Sequence, residues 1–134
     1  MAVATYDCWP KKVVCEAGAV QKLGEIIKGM NKSRVIIFTD KVMKDFPLIT
    51  NVVNRLKEEG LTVGLFGEIG PNPVTDMVHE AASYMQELKP DVIVCIGGGS
   101  PIDTGKAANV VYTHGGTVNE YDIAIGGILK ITDK

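Results

Sequence analysis

The chain has 134 residues, 46% of them hydrophobic and 22% charged, with a formal net charge of −2. This suffices for one folded core, and the weak negative charge gives no basis for nucleic acid or an anionic membrane as partner. No apolar run reaches the roughly 18–20 residues that cross a bilayer, no basic start and apolar core mark an export signal, and Cys8, Cys15 and Cys95 form no Cys-x-x-Cys pair, so reduced thiols in a cytoplasmic protein are expected rather than a disulfide or a zinc site.

Residues 1–10 read as irregular, closed by Trp9-Pro10, and residues 11–15 as a short strand. Ala17-Gly18-Ala19 opens a helix in which Leu23, Ile26, Ile27 and Met30 recur at helical spacing. Residues 34–39 are the next strand, with Asp40 at its carboxyl end. A connection then leads to a helix over 47–59, with Leu48, Ile49, Val52, Val53 and Leu56 on one face and Gly60 as its stop. Residues 61–66 form a third strand and 67–72 a loop. Asn72-Pro73 reads as an N-cap and first helical residue, and Val74, Met77, Val78, Ala81, Ala82, Met85 and Leu88 face inward until Pro90 ends that helix.

Residues 92–96 are apolar without alternation, as in a strand buried on both faces of a parallel sheet. Gly97, Gly98 and Gly99 follow, exposing backbone N–H groups and admitting a ligand closely. Ser100 reads as an N-cap, Pro101 as the first helical residue and Asp103 as a capping-box acid. Strand, glycine loop and helix start together make an anion site, best suited to a nucleotide phosphate. The helix runs to about residue 113, and residues 123–131 are expected to form one or two short strands around Gly126-Gly127.

Strands and helices alternate, the pattern of a doubly wound α/β, mostly parallel sheet. Asp40, the loop before Pro73 and the glycines 97–99 all fall on the carboxyl edge of that sheet, where ligands bind. Fewer strands are countable than the five or six of an average sheet, so the domain reads as incomplete and the chain as part of something larger.

Two phosphate-binding fingerprints fail. In Gly-x-Gly-x-x-Gly, Gly97 and Gly99 fit but Ile102 takes the third position, and Asp40 precedes the glycines instead of following them. In the Walker A pattern four residues should separate the glycine from Gly-Lys-Ser/Thr; five lie between Gly99 and Gly105, and Ala107 follows Lys106.

What remains, Gly-Gly-Gly-Ser-x-x-Asp-x-x-Lys over residues 97–106, resembles the iron-containing (group III) alcohol dehydrogenase family, within the set that includes glycerol dehydrogenase and dehydroquinate synthase. Ala17-Gly18-Ala19 with Leu23-Gly24, Thr39-Asp40-Lys41 and Pro71-Asn72-Pro73 resemble further family segments in the same order. Glu16 stands where a glycine often precedes Ala-Gly-Ala.

The resemblance implies a dehydroquinate synthase-like N-terminal dinucleotide-binding domain spanning 1–134, and an oxidoreductase passing hydride between a nicotinamide cofactor and a small alcohol or aldehyde. It implies that Gly98, Gly99 and Ser100 hold the pyrophosphate, with Gly97 also among the cofactor-binding residues, that Asp40 accepts from the adenosine ribose, that Asn72 contacts the cofactor, that Asp103 lies near its nicotinamide end, and that Lys106 reaches phosphate or ribose oxygens. A carboxylate at Asp40 repels a 2′-phosphate, favouring NAD(H) over NADP(H). The family holds Fe2+, sometimes Zn2+, through one Asp and three His on a helical C-terminal domain. This chain has two histidines, His79 and His114, so metal ligands and catalytic residues are expected outside it, and the chain alone is expected to be inactive. His79 reads as solvent-facing and His114 as a helix C-terminal residue. An apolar patch toward the missing domain makes homo-oligomer formation a plausible consequence. Two other readings are a stand-alone nucleotide-binding module without catalysis, and a phosphoryl-transfer enzyme, which needs a Mg2+ carboxylate pair of which Asp103 supplies one member.

Overall fold

A computed structural model describes residue 10 and residues 12–132. Its elements are α1 (Leu23–Gly29), β1 (Arg34–Asp40), α2 (Pro47–Glu58), β2 (Thr62–Ile69), α3 (Thr75–Leu88), β3 (Val92–Cys95) and α4 (Gly99–His114), with 3-10 turns at Ala19–Lys22, Met43–Asp45, Val118–Tyr121, Ile123–Ile125 and Gly127–Lys130.

The three strands form a parallel sheet in the order β2-β1-β3. Central β1 explains its own sequence. Val35, Ile36, Ile37 and Phe38 are fully buried, because strand side chains alternate between two covered faces. Val35 and Ile37 pack with Ile27 of α1 and with Val52 and Leu56 of α2. Ile36 and Phe38 pack on the opposite face with Val78, Ala81, Ala82 and Met85 of α3 and with Ala108 and Val111 of α4. Burying each such side chain is worth about 1.5–3 kcal/mol. The sheet is therefore wound on both sides.

The amino ends of β1 and β3 are clamped together. The Asp91 carboxylate accepts from the backbone N–H of Arg34 at 2.9 Å and of Ser33 at 3.1 Å. The Arg34 guanidinium donates to the Leu88 and Lys89 carbonyls that end α3, where Lys89 turns left-handed at φ 52°. Desolvation opposes ionisation of Asp91, but the Arg34 and Ser33 amides, together with Lys32 and its own amide, hold the carboxyl below its ordinary value. A carboxyl lowered on folding adds stability above its unfolded pKa and loses it as pH falls through the folded one. Asp91→Ala is expected to cost about 1 kcal/mol at neutral pH, small because the clamp is exposed. It should also flatten the decline in stability on acidification below pH ~4, near the unperturbed carboxyl value; urea denaturation at several pH values measures both.

Several expectations are corrected. Residues 12–15 form no strand, and Val13 and Val14 are exposed. The reading of 1–9 and of residue 11 lies outside the described residues. The Ala17-Gly18-Ala19 entry leads first into a 3-10 turn, with Gly18 at φ 76°. β2 continues to Ile69, through residues expected to be loop. Residues 123–131 carry 3-10 turns instead of strands: Asp122 accepts from the Ala124 N–H and Gly126 turns at φ 74°.

Candidate functional site

The chain leaving β1 leads to α2 on one face of the sheet, while that leaving β3 leads to α4 on the other. Such a divergence opens a crevice at the carboxyl ends of the two strands. A cleft of about 450 Å³ lies there, lined by residues 40–43, 69–71 and 98–101.

The glycine loop forms its floor. Gly97 holds φ 138°, and a Cβ there would lie 3.0 Å from Pro101 Cγ, so backbone and packing both require glycine. Gly98 is different. Its backbone is extended (φ −85°, ψ −154°), and a Cβ would meet nothing within 4 Å. A Cβ on helical Gly99 would meet only an Asp103 oxygen, at 4.0 Å. Neither conformation nor protein packing accounts for glycine at 98 and 99, and both positions leave the backbone open to close approach from the cleft. Gly98, not Ser100, is the N-cap of α4, and no side chain caps the helix. Among the described residues no protein acceptor takes the N–H of Gly98, Gly99 or Ser100, so the positive end of a 16-residue helix faces the cleft bare. Ser100 lies one residue inside the helix, half-buried on the cleft wall.

Asp40 divides its oxygens between two tasks. Oδ1 accepts from the N–H of Val42 at 3.0 Å and of Met43 at 2.8 Å, fixing the turn after β1. Oδ2 has no hydrogen-bond partner among the described residues and lies 3.3 Å from where a Gly97 Cβ would stand. One oxygen builds the turn and the other is free beside the glycine loop.

The remaining expected residues are placed apart from this cleft. Asp103 is exposed on α4, a turn past the helix start, and does not act in a capping box; that pattern occurs instead between Thr117 and Glu120. Asp103 and Lys106 line a second, more open groove of about 690 Å³ with Val118, Tyr121, Ile123 and Ile131. Asp103 also lines a smaller one with Pro73, Val74, Thr104 and Asn119. Asn72 is not an N-cap: it is left-handed at φ 53°, a conformation asparagine tolerates, and α3 starts only at Thr75 after Val74. Asn72 is exposed and lines none of these cavities, while Pro71 and Pro73 on either side of it each line one.

Sequence reasoning missed the apolar cleft wall of Val42, Met43, Ile69 and Pro71, whose only signal was position after a strand end. It also missed Thr39 and Thr104, buried hydroxyls that have no hydrogen-bond partner among the described residues. His79 is not solvent-facing; it is half-buried, and its Nε2 accepts from the Val118 N–H at 3.1 Å. His114 does end α4. Burial pushes the Cys95 thiol above its ordinary value, with Lys106 opposing, which makes it a poor nucleophile. Among the described residues no group of three His, Cys, Asp or Glu side chains is arranged to hold a metal ion, and no helix is long and apolar enough to cross a membrane.

Residues 10–133 match the family described as iron-containing alcohol dehydrogenase. The chain is 34% identical over 112 residues to the NAD-dependent methanol dehydrogenase of Bacillus methanolicus, covering 84% of this chain and 29% of that protein. It is 33% identical over 105 residues to the NADPH-dependent butanol dehydrogenase of Clostridium saccharobutylicum, covering 78% and 26%. The crystal structure of NADH-dependent butanol dehydrogenase A from Thermotoga maritima superposes with a TM-score of 0.71 at 28% identity, covering 78% of this chain and 26% of that one. The chain thus spans less than a third of the length of these relatives.

Proposed function

The chain belongs to the iron-containing alcohol dehydrogenase family, and from that premise we propose that residues 1–134 are the part of such an enzyme that binds NAD(H). The carrying observation is the pair Gly98 and Gly99, whose missing side chains leave open space above unpartnered helix amides. The cleft fits a dinucleotide. The amides of Gly98, Gly99 and Ser100 take the pyrophosphate, the free oxygen of Asp40 accepts from a ribose hydroxyl, and Gly97 keeps the loop in its turn. The Asp40 charge excludes a 2′-phosphate, so NAD(H) is preferred over NADP(H). Asp103, Lys106 and Asn72 extend the site along α4 and the loop before α3, with Asp103 toward the nicotinamide end.

When bound, the nicotinamide supplies hydride exchange with the carbon of a small alcohol or aldehyde. What this chain contributes is binding and orientation. The described residues do not fit the family's iron or zinc: the chain holds two histidines, and they lie on different helices. On this reading these residues supply neither the metal nor the alcohol site, and this chain alone does not turn over alcohol. A cytoplasmic location, with its thiols reduced, is part of the same reading.

Titrating the chain with NADH while following nicotinamide fluorescence is expected to give a saturable rise. A folded chain that shows no response at millimolar NADH would sink the proposal. Preferential binding of ATP–Mg2+ would favour phosphoryl transfer instead.

A further inference from the structure

The histidines of this chain share an unexpected feature: each receives a backbone N–H from the segment that follows α4. His79 Nε2 accepts from Val118 at 3.1 Å, and His114 Nε2 from Thr132 at 3.0 Å. That segment walls both grooves along Asp103, through Val118 and Asn119 in each and through Tyr121, Ile123 and Ile131 in the wider one. Within the segment itself, Tyr121 donates its hydroxyl to the Gly115 carbonyl.

The two histidines respond differently to a proton. A ring nitrogen that accepts an N–H must be unprotonated, as the Val118 contact requires of His79 Nε2, whereas His114 Nε2, 3.0 Å from both the nitrogen and the carbonyl oxygen of Thr132, can accept or donate. His114 Nδ1 stands 2.7 Å from the Thr113 hydroxyl, and its Nε2 also lies 3.0 Å from the Thr132 carbonyl oxygen. A protonated His114 therefore exchanges the Thr132 N–H for the Thr132 carbonyl and keeps the tether. His79 has no such substitute: among the described residues its Nε2 meets only the Val118 N–H. Once protonated, it presents one N–H to another.

The surroundings offer the charged ring a second position. On its own helix, Asp76, Glu80 and Glu87 line one surface depression with His79, as does Tyr84. The turn Val118–Tyr121 brings Glu120, whose carboxylate is engaged by the N–H and hydroxyl of Thr117. α4 brings Asp103 and Lys106, on the groove side of that turn. Beneath α3 the strands meet it with Ile36, Phe38, Phe66 and Ile69, and the loop before α3 carries no charged residue. A neutral ring thus faces Val118, and a charged one is drawn to the acidic rim.

We propose that His79 is a pH-sensitive latch holding the turn Val118–Tyr121 against α3, closed when its ring is neutral and released when it is protonated. Imidazole as a side-chain type titrates between pH 5 and 8, and that interval is where the latch is tested.

The test is amide hydrogen exchange by NMR on the 15N-labelled chain at pH 7.5 and 5.5, with rates divided by the intrinsic rate at each pH. Protection of the Val118 amide is expected to fall about tenfold at the lower pH. His79→Gln retains an acceptor that does not titrate and should hold protection within about twofold across the same range. His79→Phe lacks the acceptor and should be low at both pH values, with amide shifts in β1 and β3 reporting that the fold persists. His114→Gln should keep the wild-type response at Val118. Equal Val118 protection at both pH values in the wild type would overturn the latch. So would a fall of the same size in His79→Gln, or one abolished by His114→Gln.

Discussion

Replacing Gly98 with threonine is expected to weaken NADH binding more than tenfold, equivalent to about 1.4 kcal/mol, while leaving the melting temperature unchanged or slightly raised. The reason is local. Gly98 is the N-cap of α4 in an extended conformation that threonine adopts freely, and threonine caps helices about as well as glycine. Nothing in the protein stands within 4 Å of the new Cβ, so the fold accepts it. The proposed pyrophosphate site does not: the side chain projects into the cleft, and its hydroxyl can take the N–H groups that the phosphate would use under that proposal. Gly105→Val is the control with the opposite outcome. A Cβ at Gly105 would lie 2.6 Å from Cys95 Sγ and 3.5 Å from Phe38 Cδ2, where α4 lies close against the sheet. Overpacking there should cost about 2–3 kcal/mol and be seen in urea denaturation. If Gly98→Thr unfolds the chain as readily as Gly105→Val, glycine 98 serves the fold and the cofactor argument fails.

Much of the fold was legible in the sequence because burial writes itself into composition. The continuous apolar run of β1 requires cover on both faces, and the structure supplies α1 and α2 on one and α3 and α4 on the other. The inward face of α3 was also readable: Val78, Ala81, Ala82 and Met85 recur at helical spacing and are buried. Helix starts were harder, since they depend on backbone conformation that residue type only biases. Asn72-Pro73 has the composition of a cap, yet a left-handed Asn72 delays α3 to Thr75. Ser100 has the chemistry of a cap, yet the helix begins earlier on a glycine, and this leaves the amides bare. The isoleucines of 123–131 suggested strands because apolar spacing does not say whether a strand edge is available beside them. At Asp40 the residue type does not announce the turn that Oδ1 fixes; Oδ2, without a hydrogen-bond partner among the described residues, is left for the proposed ribose contact.

That division makes the two roles separable. Asp40→Asn is expected to leave stability within about 0.5 kcal/mol of wild type, because an amide oxygen in place of Oδ1 still accepts from the N–H groups of Val42 and Met43. The same change removes the charge and turns the free acceptor into a donor. Affinity for NADH should fall about tenfold, that for NADPH should rise or hold, and the ratio of the two should move toward NADPH. Asp40→Ala removes both oxygens and should add a loss of about 1–2 kcal/mol in stability, since two turn amides lose their acceptor. Fluorescence titration with each cofactor reads the first effect, and urea denaturation the second. An Asp40→Asn chain that keeps its wild-type preference for NADH would show that the free oxygen does not select the ribose; Asp40 would then be a turn residue, and cofactor choice would rest on other residues of the cleft.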